Sequence, residues 1–125
     1  MTSLYIFLGG GLGALSRYGL SFGIQSLAEN TRFQRFPLGI FACNLLGCFL
    51  IGLIFGFIAS RSDQHPAWLH PLAVTGFLGG FTTFSTFALD SHQLFSSSPA
   101  LALLNIAASV IGCLFAVWLG FKILS

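Results

Sequence analysis

The chain alternates between long apolar stretches and short polar connections. Four stretches are long enough to form helices that cross a hydrocarbon layer about 30 Å thick, which takes roughly 20 residues. The pattern predicts an all-α membrane protein in which residues 1–125 form a single transmembrane domain. Its four helices would follow one another in up-and-down order, with both termini on one side. The predicted spans are residues 4–27, 37–59, 68–89 and 99–124.

Polar residues collect in the connections, at residues 28–36, 60–67 and 90–98. Pro37 and Pro99 stand where the second and fourth helices begin, a position in which the first helical turn tolerates proline. Of the three acidic residues, two lie in predicted loops and one terminates the third helix, so no carboxylate is expected inside the membrane. The three are Glu29, Asp63 and Asp90.

Composition agrees with a membrane location. Only 6% of the residues are Asp, Glu, Lys or Arg, against about 25% in an average soluble domain. The formal net charge is +2, and because the basic residues form no run we expect no nucleic-acid partner. Cys43, Cys48 and Cys113 lie inside apolar stretches and are expected to pack as small side chains without disulfides.

The distribution of basic residues does not favour one orientation of the chain in the membrane. Arg61 and Lys122 are on one face of the predicted bundle, and Arg32 and Arg35 are on the other. The side with more Lys and Arg in its short loops normally stays in the cytoplasm, so a balanced count indicates insertion in both orientations. A fixed orientation set by a weak bias is the alternative.

Glycines four residues apart recur in the apolar stretches. Small residues at this spacing let two helix backbones approach closely in lipid, so we expect these glycines to mark helix contacts. The pairs are Gly9 with Gly13, Gly19 with Gly23, Gly52 with Gly56, and Gly76 with Gly80.

The third stretch is poorly suited to a continuous helix. Residues 75–87 combine three glycines with several hydroxyl residues at membrane depth. Irregular backbone at that depth persists only where protein buries it or where it lines a watery cavity, and its carbonyls can then bind a cation. We therefore predict a broken third helix, and a continuous helix with a glycine-rich packing face is the alternative.

Four side chains inside the stretches could act on an ion. Phe84 and Phe87 are three residues apart and share one face of a helix, where partly positive ring edges attract an anion weakly. Asn44 can donate hydrogen bonds to an anion, and Arg17 can raise the local anion concentration. Ordinary packing of the two rings and snorkelling of Arg17 towards the interface are the alternatives.

The sequence does not support an enzyme. Residues 9–14 match a G-x-G-x-x-A nucleotide fingerprint, but that pattern has meaning only inside a parallel βαβ unit. The Asp, Ser and His at residues 90–92 are neighbours in a predicted loop, which explains their polarity without catalysis. We therefore expect a protein that is not an enzyme.

The most specific pattern in the chain is GGFTTFSTF at residues 79–87. It resembles the G-G-x-T-T-F-S-T-F signature of the CrcB/Fluc fluoride channel family at every fixed position, and the resemblance covers essentially the whole chain. Further matching segments are GGGLGA at residues 9–14, RY at 17–18, PLG at 37–39 and NLLG at 44–47.

The resemblance implies a fluoride-specific channel in the bacterial inner membrane that works passively, without ATP. It implies a homodimer of antiparallel subunits with two pores at the interface, lined by the second, third and fourth helices. A structural sodium ion would lie at the centre, bound by the backbone carbonyls of Gly79 and Thr82 from both subunits. Phe84 and Phe87 would form an aromatic box along each pore. The remaining pore residues implied by the resemblance are Asn44, Ser85, Thr86 and Ser109.

Two positions depart from the family pattern, which often has threonine at Ile40 and tyrosine at Asn105, so the polar lining is expected to differ here. Two other functions are compatible with the apolar helices: a small dual-topology proton-coupled exporter and a non-transporting membrane assembly protein. The exporter needs an embedded carboxylate, whereas the assembly protein has no need of Asn44 and Arg17 inside helices. The channel is therefore favoured.

Overall fold

The computed structural model describes residues 1–62 and 64–125, and in this part of the chain every regular element is a helix. The predicted all-α class is confirmed, and so is the break in the third helix, which is split into two elements. The helices are α1, Thr2–Ala28; α2, Leu38–Ser60; α3, a π-helical Leu69–Leu78 continued by the α-helical turn Gly79–Phe81; α4, Phe84–Ser97; and α5, Pro99–Leu124.

Three helical stretches in the described residues are long and apolar enough to cross a membrane, namely Leu38–Ser60, Leu69–Ser97 and Pro99–Leu124. Helix α1 has 27 residues, which is sufficient length, but it is less apolar than α2 and α5. Its glycines, its hydroxyl residues and Arg17 account for the difference. Helices that are long and apolar enough to cross a membrane therefore occur at three of the four predicted spans, and the bounds of all four spans stay predictions.

Large apolar side chains cover the outside of the bundle. Phe7, Leu15 and Ile111 are 76%, 70% and 68% exposed, and many other Leu, Ile and Phe side chains are exposed with them. An apolar surface this extensive is unfavourable in water, whereas lipid tails are as apolar as these side chains. The chain is a multi-pass membrane protein.

The most extensive helix contact is between α2 and α5. A methyl group on Gly52 would overlap the carbonyl oxygen of Val117, and one on Gly56 would overlap that of Phe121. Both glycines therefore let the α5 backbone lie directly against α2. Because the contacts advance in the same direction along both helices, α2 and α5 run parallel.

Helix α1 packs against α3 through a second glycine contact. Gly13 lies where the Phe77 carbonyl oxygen reaches its backbone, and Gly80 faces the Gly10 carbonyl in the same way. The predicted close approach is confirmed for three of the four glycine pairs. The exception is the pair Gly19 and Gly23, beside which the described chain leaves open space.

The predicted connection at residues 90–98 is wrong, because α4 continues to Ser97 and only Ser98 separates it from α5. Phe87, Ser91 and Leu94 are buried along one face of α4, which packs on α5 and keeps this polar stretch helical. Asp90 consequently lies within the helix, partly buried, and does not terminate it. Asp63, which the sequence places in a loop, lies outside the described residues.

Candidate ion-binding site

Asn44 of α2 pairs with the main chain at the break between α3 and α4. Its Oδ1 accepts a hydrogen bond from the Thr83 N–H at 2.8 Å, and its Nδ2 donates to the Thr83 carbonyl at 3.1 Å. Thr82 and Thr83 have extended backbone, with ψ angles of 154° and 116°. One side chain thus satisfies both main-chain polar groups of Thr83, which a break at membrane depth requires.

The break also removes helical hydrogen-bond partners from backbone carbonyls, among them those of Gly79 and Thr82. In an unbroken helix each carbonyl accepts from the amide four residues later. In an unbroken helix the Thr83 N–H would donate to the Gly79 carbonyl, but here it donates to Asn44. The Thr86 N–H would likewise donate to the Thr82 carbonyl, but here it donates to the Thr83 hydroxyl at 3.3 Å. Gly79 and Thr82 therefore lose the amides that an unbroken helix would supply, and theirs are the carbonyls expected to bind sodium.

Thr83 caps the first turn of α4. Its Oγ1 accepts from the Thr86 N–H and lies 3.2 Å from both the Ser85 and the Thr86 hydroxyl oxygens. Ser85 and Thr86 are thereby joined to the cap in one cluster of hydroxyls. Thr83 was not among the residues predicted for the site, although a threonine just before a helix is a capping signal, because its hydroxyl oxygen can accept from the amide three residues later.

Phe84 and Phe87 lie side by side at the start of α4. Their ring centroids are 5.4 Å apart and their planes are inclined by 53°, which confirms that they share a face. Phe87 is only 9% exposed, whereas Phe84 is 77% exposed. Most of the Phe84 ring is therefore available to an ion or to another subunit.

A cavity of about 380 Å³ lies beside the break, between α2, α3, α4 and α5. Its wall is mostly apolar, with a few polar groups among the aliphatic side chains, a combination common in selective binding sites. Six of the nine residues predicted for the site line it: Asn44, Gly79, Thr82, Phe84, Phe87 and Ser109.

The other three predicted residues are not among the described residues that line this cavity. Ser85 is exposed and Thr86 is partly exposed on the first turn of α4. Arg17 is partly exposed on α1. The structure therefore brings six of the nine predicted residues together within one chain. Arg17 does not line the cavity, and its main-chain carbonyl lies 3.9 Å from Cys43 Sγ.

A second polar cluster lies between α4 and α5 and joins Ser109, which was predicted for the site, to Asn105 and Ser91, which were not. Asn105 is 1% exposed, and its Nδ2 donates to Ser91 Oγ at 3.0 Å. Ser109 Oγ donates to Asn105 Oδ1 at 3.3 Å, and Ser91 Oγ donates to the Phe87 carbonyl at 2.8 Å. A side-chain amide is costly at membrane depth, which is why Asn44 was a candidate residue. The same reasoning makes Asn105 a candidate.

Known proteins resemble this chain over nearly its full length. The family described as "CrcB-like protein, Camphor Resistance (CrcB)" matches residues 4–121. A Magnetococcus marinus protein named "Fluoride-specific ion channel FluC" is 41% identical over 121 residues, which are 96% of this chain and 94% of that protein. Proteins of the same name from Francisella philomiragia and Hahella chejuensis are 40% and 44% identical, covering 94% of this chain and 90% and 89% of their own lengths.

Proposed function

The chain belongs to the CrcB-like family, and we propose on this basis that it is a fluoride-specific channel through which fluoride leaves the cell passively. The observation that carries the proposal is the cavity beside the helix break. There an amide, a hydroxyl and two aromatic rings meet in a mostly apolar wall, from Asn44, Ser109, Phe84 and Phe87. A channel opens a path and performs no chemical reaction, so it is not an enzyme.

The groups in this cavity suit an ion that accepts hydrogen bonds. The Nδ2 group of Asn44 has two N–H donors, and the Thr83 carbonyl takes only one of them. The second can be given to fluoride. The edges of the Phe84 and Phe87 rings add weak attraction. Several weak contacts in sequence let an ion both enter and leave, which conduction requires.

The active unit in this proposal is a homodimer of antiparallel subunits with two pores at its interface. Phe84 lines the cavity and yet is 77% exposed in a single chain, so a second subunit could enclose the ring and complete the wall. Ser85, exposed beside it, and Thr86 would add hydroxyl groups to the pore. Arg17 would attract anions from a position outside the cavity.

The distribution of basic residues supports insertion in both orientations. Helices α2 and α5 run parallel, so Arg61 and Lys122 at their C-terminal ends lie on the same side of the bundle. Arg32 and Arg35 lie in the connection between α1 and α2, at the opposite end. Neither side has the excess of positive charge that would fix the topology.

We expect C-terminal reporter fusions to show the C-terminus on both sides of the membrane. Adding several lysines to the connection between α1 and α2 should convert this mixture into a single orientation, because the more basic loop stays in the cytoplasm. The same lysines placed beyond Lys122 should give the reverse orientation. A wild-type reporter found on one side only would contradict dual topology.

A structural sodium ion between the subunits is also part of the proposal. The backbone carbonyls of Gly79 and Thr82 would hold it, since both have lost their helical amides to Asn44 and Thr83. Carbonyl oxygens on unwound backbone suit a small hard cation. When bound, the ion would supply a positive charge that both helix breaks share.

Fluoride efflux from liposomes that contain only the purified protein tests the proposed function. With a potassium ionophore present to carry compensating charge, we expect rapid loss of fluoride down its gradient, much slower loss of chloride, and no need for an energy source. Ion-selective electrodes measure both rates, and protein-free liposomes are the control. Comparable chloride efflux would contradict the proposed selectivity.

The same assay tests the proton-coupled exporter. The structure places Asp90 within α4, so the absence of a carboxylate from the helices no longer argues against that function. Fluoride efflux should continue unchanged when a protonophore collapses the proton gradient. Efflux that stops under this treatment would show coupled transport and rule out a passive channel.

A further inference from the structure

Asn105, Ser91 and Ser109 form a buried chain of hydrogen bonds that joins two residues of the cavity wall. Ser109 stands at one end and the Phe87 carbonyl at the other, and both residues line the cavity. Asn105 and Ser91, which connect them, lie behind the wall and are 1% and 5% exposed. The proposed function assigns no role to either of these connecting residues.

The Phe87 carbonyl fixes the direction of every hydrogen in this chain, because a carbonyl only accepts. Ser91 therefore donates its hydroxyl hydrogen to Phe87, and the Ser91 oxygen accepts from Asn105 Nδ2. That arrangement turns Asn105 Oδ1, which also only accepts, towards Ser109. The Ser109 hydroxyl must then donate to Asn105, so that its hydrogen is directed behind the wall.

In this arrangement Ser109 offers lone pairs to the cavity, which an anion would not bind. Turning the Asn105 amide over exchanges its Oδ1 and Nδ2 and reverses the chain. Ser91 then donates to Asn105, Asn105 donates to Ser109, and the Ser109 hydrogen becomes available to an anion in the cavity. Three hydrogen bonds exist in either direction if the anion takes the third, so the reversal does not increase the number of unsatisfied buried donors.

We propose that Asn105 is a positioning residue that sets the direction of the Ser109 hydroxyl, making it a hydrogen-bond donor to fluoride only while the ion is in the cavity. The inference rests on the proposed function and goes beyond it. Chloride is a weaker acceptor than fluoride and gains less from the third hydrogen bond. Reversal therefore favours fluoride, and Asn105 contributes to selectivity without touching the ion.

A double-mutant cycle between Asn105 and Ser109 tests this coupling. Asn105→Leu keeps a similar volume and removes the amide, while Ser109→Ala removes the hydroxyl. Without the amide, the Ser109 hydroxyl should donate back to the main-chain carbonyl four residues earlier, so both changes take the same donor away from fluoride. Each should therefore lower fluoride flux per folded dimer by roughly tenfold, and the double variant should lose no more than either single one. Size-exclusion chromatography measures the folded dimer for each variant.

Asn105→Asp adds a readout that a purely structural role would not affect. An ionised carboxylate accepts at both oxygens, so it would keep the Ser109 hydrogen behind the wall and block the reversal. Protonation restores a donor. Flux through this variant should therefore rise as the pH is lowered, relative to wild type at the same pH. The dependence should shrink when Ser109→Ala is added, because the hydroxyl that the carboxylate controls is then absent.

Three results would overturn the assignment of Asn105. The first is a double variant whose fold-loss of fluoride flux equals the product of the two single losses, which would indicate independent structural effects. Another is a pH dependence of Asn105→Asp that persists undiminished with Ser109→Ala, which would indicate direct repulsion of the anion. The third is wild-type pH behaviour in a folded Asn105→Asp dimer. Folded wild-type protein that carries no fluoride would instead overturn the proposed function itself.

Discussion

Gly80→Ala should yield little or no folded protein, whereas Gly79→Ala, one residue earlier, should fold. A methyl group on Gly80 would overlap the Gly10 carbonyl oxygen and press on the Ala14 amide nitrogen at 3.0 Å. Both are backbone atoms of α1, so no side chain can turn aside to make room. At Gly79 the nearest heavy atom to the same methyl group is the Val74 carbonyl oxygen, at 3.8 Å, an ordinary contact.

The cost at Gly80 should be about 3 kcal/mol or more, since overpacking forces the backbone of α1 away from α3. A loss of that size is a large share of the 5–15 kcal/mol that typically stabilises a folded protein. The measurement is the yield of folded protein and its thermal unfolding in detergent, with Gly79→Ala as the matched control. A Gly80→Ala protein as stable as wild type would show that α1 and α3 are further apart than the structure places them.

The variant Gly79→Val tests assembly of the proposed dimer separately from folding of the single chain. The Gly79 backbone is exposed within one chain, so a larger side chain should leave the folded chain intact. In the proposed dimer it would crowd the sodium site, and fluoride flux or the dimer itself should be lost. Changes to the Thr82 side chain should be tolerated better, since the proposed ligand is its main-chain carbonyl. Full activity of Gly79→Val with an unchanged dependence on sodium would place the ion elsewhere.

Helix positions and the helix break follow from local properties of the sequence. An apolar stretch of sufficient length has no stable alternative to a helix in lipid, and this constraint predicts α2 and α5 within a residue or two. The glycines and threonines of residues 75–87 predict a break in the same way. These residues do not predict the exact position of the break or the groups that hydrogen-bond to its backbone. The partner of Thr83 is Asn44, which lies 39 residues earlier in the sequence.

The longer α4 and the buried polar chain depend on contacts between helices, and hydropathy does not reveal these. Residues 90–97 are polar enough to suggest a loop, and they stay helical because one face of α4 packs on α5. Asn105 is stabilised inside the bundle only because Ser91 of α4 and Ser109 of its own helix lie within hydrogen-bond distance. The proposed second subunit would be a still longer-range property, since its contacts would be made by another chain.

Phe84→Ile and Phe87→Ile should each abolish most fluoride flux while leaving a folded dimer. Isoleucine keeps apolar bulk but removes the ring edge that attracts an anion. If the rings only packed, the change would cost under about 1.5 kcal/mol of stability and leave flux per folded dimer almost unchanged. The two rings differ in how much packing a substitution would remove. Phe84 is 77% exposed within its chain and has little packing to lose, whereas Phe87 is 9% exposed.

The measurement is fluoride efflux from liposomes, normalised to folded dimer by size-exclusion chromatography, with Phe81→Ile as the matched control. Phe81 is 3% exposed and stacks on Phe77 with ring centroids 5.7 Å apart, so its replacement should lower stability without touching the cavity. In an antiparallel dimer each substitution changes both pores, and residual flux cannot come from an unaltered one. Normal flux in both variants would remove Phe84 and Phe87 from the pore and leave fluoride recognition to Asn44 and the hydroxyl groups.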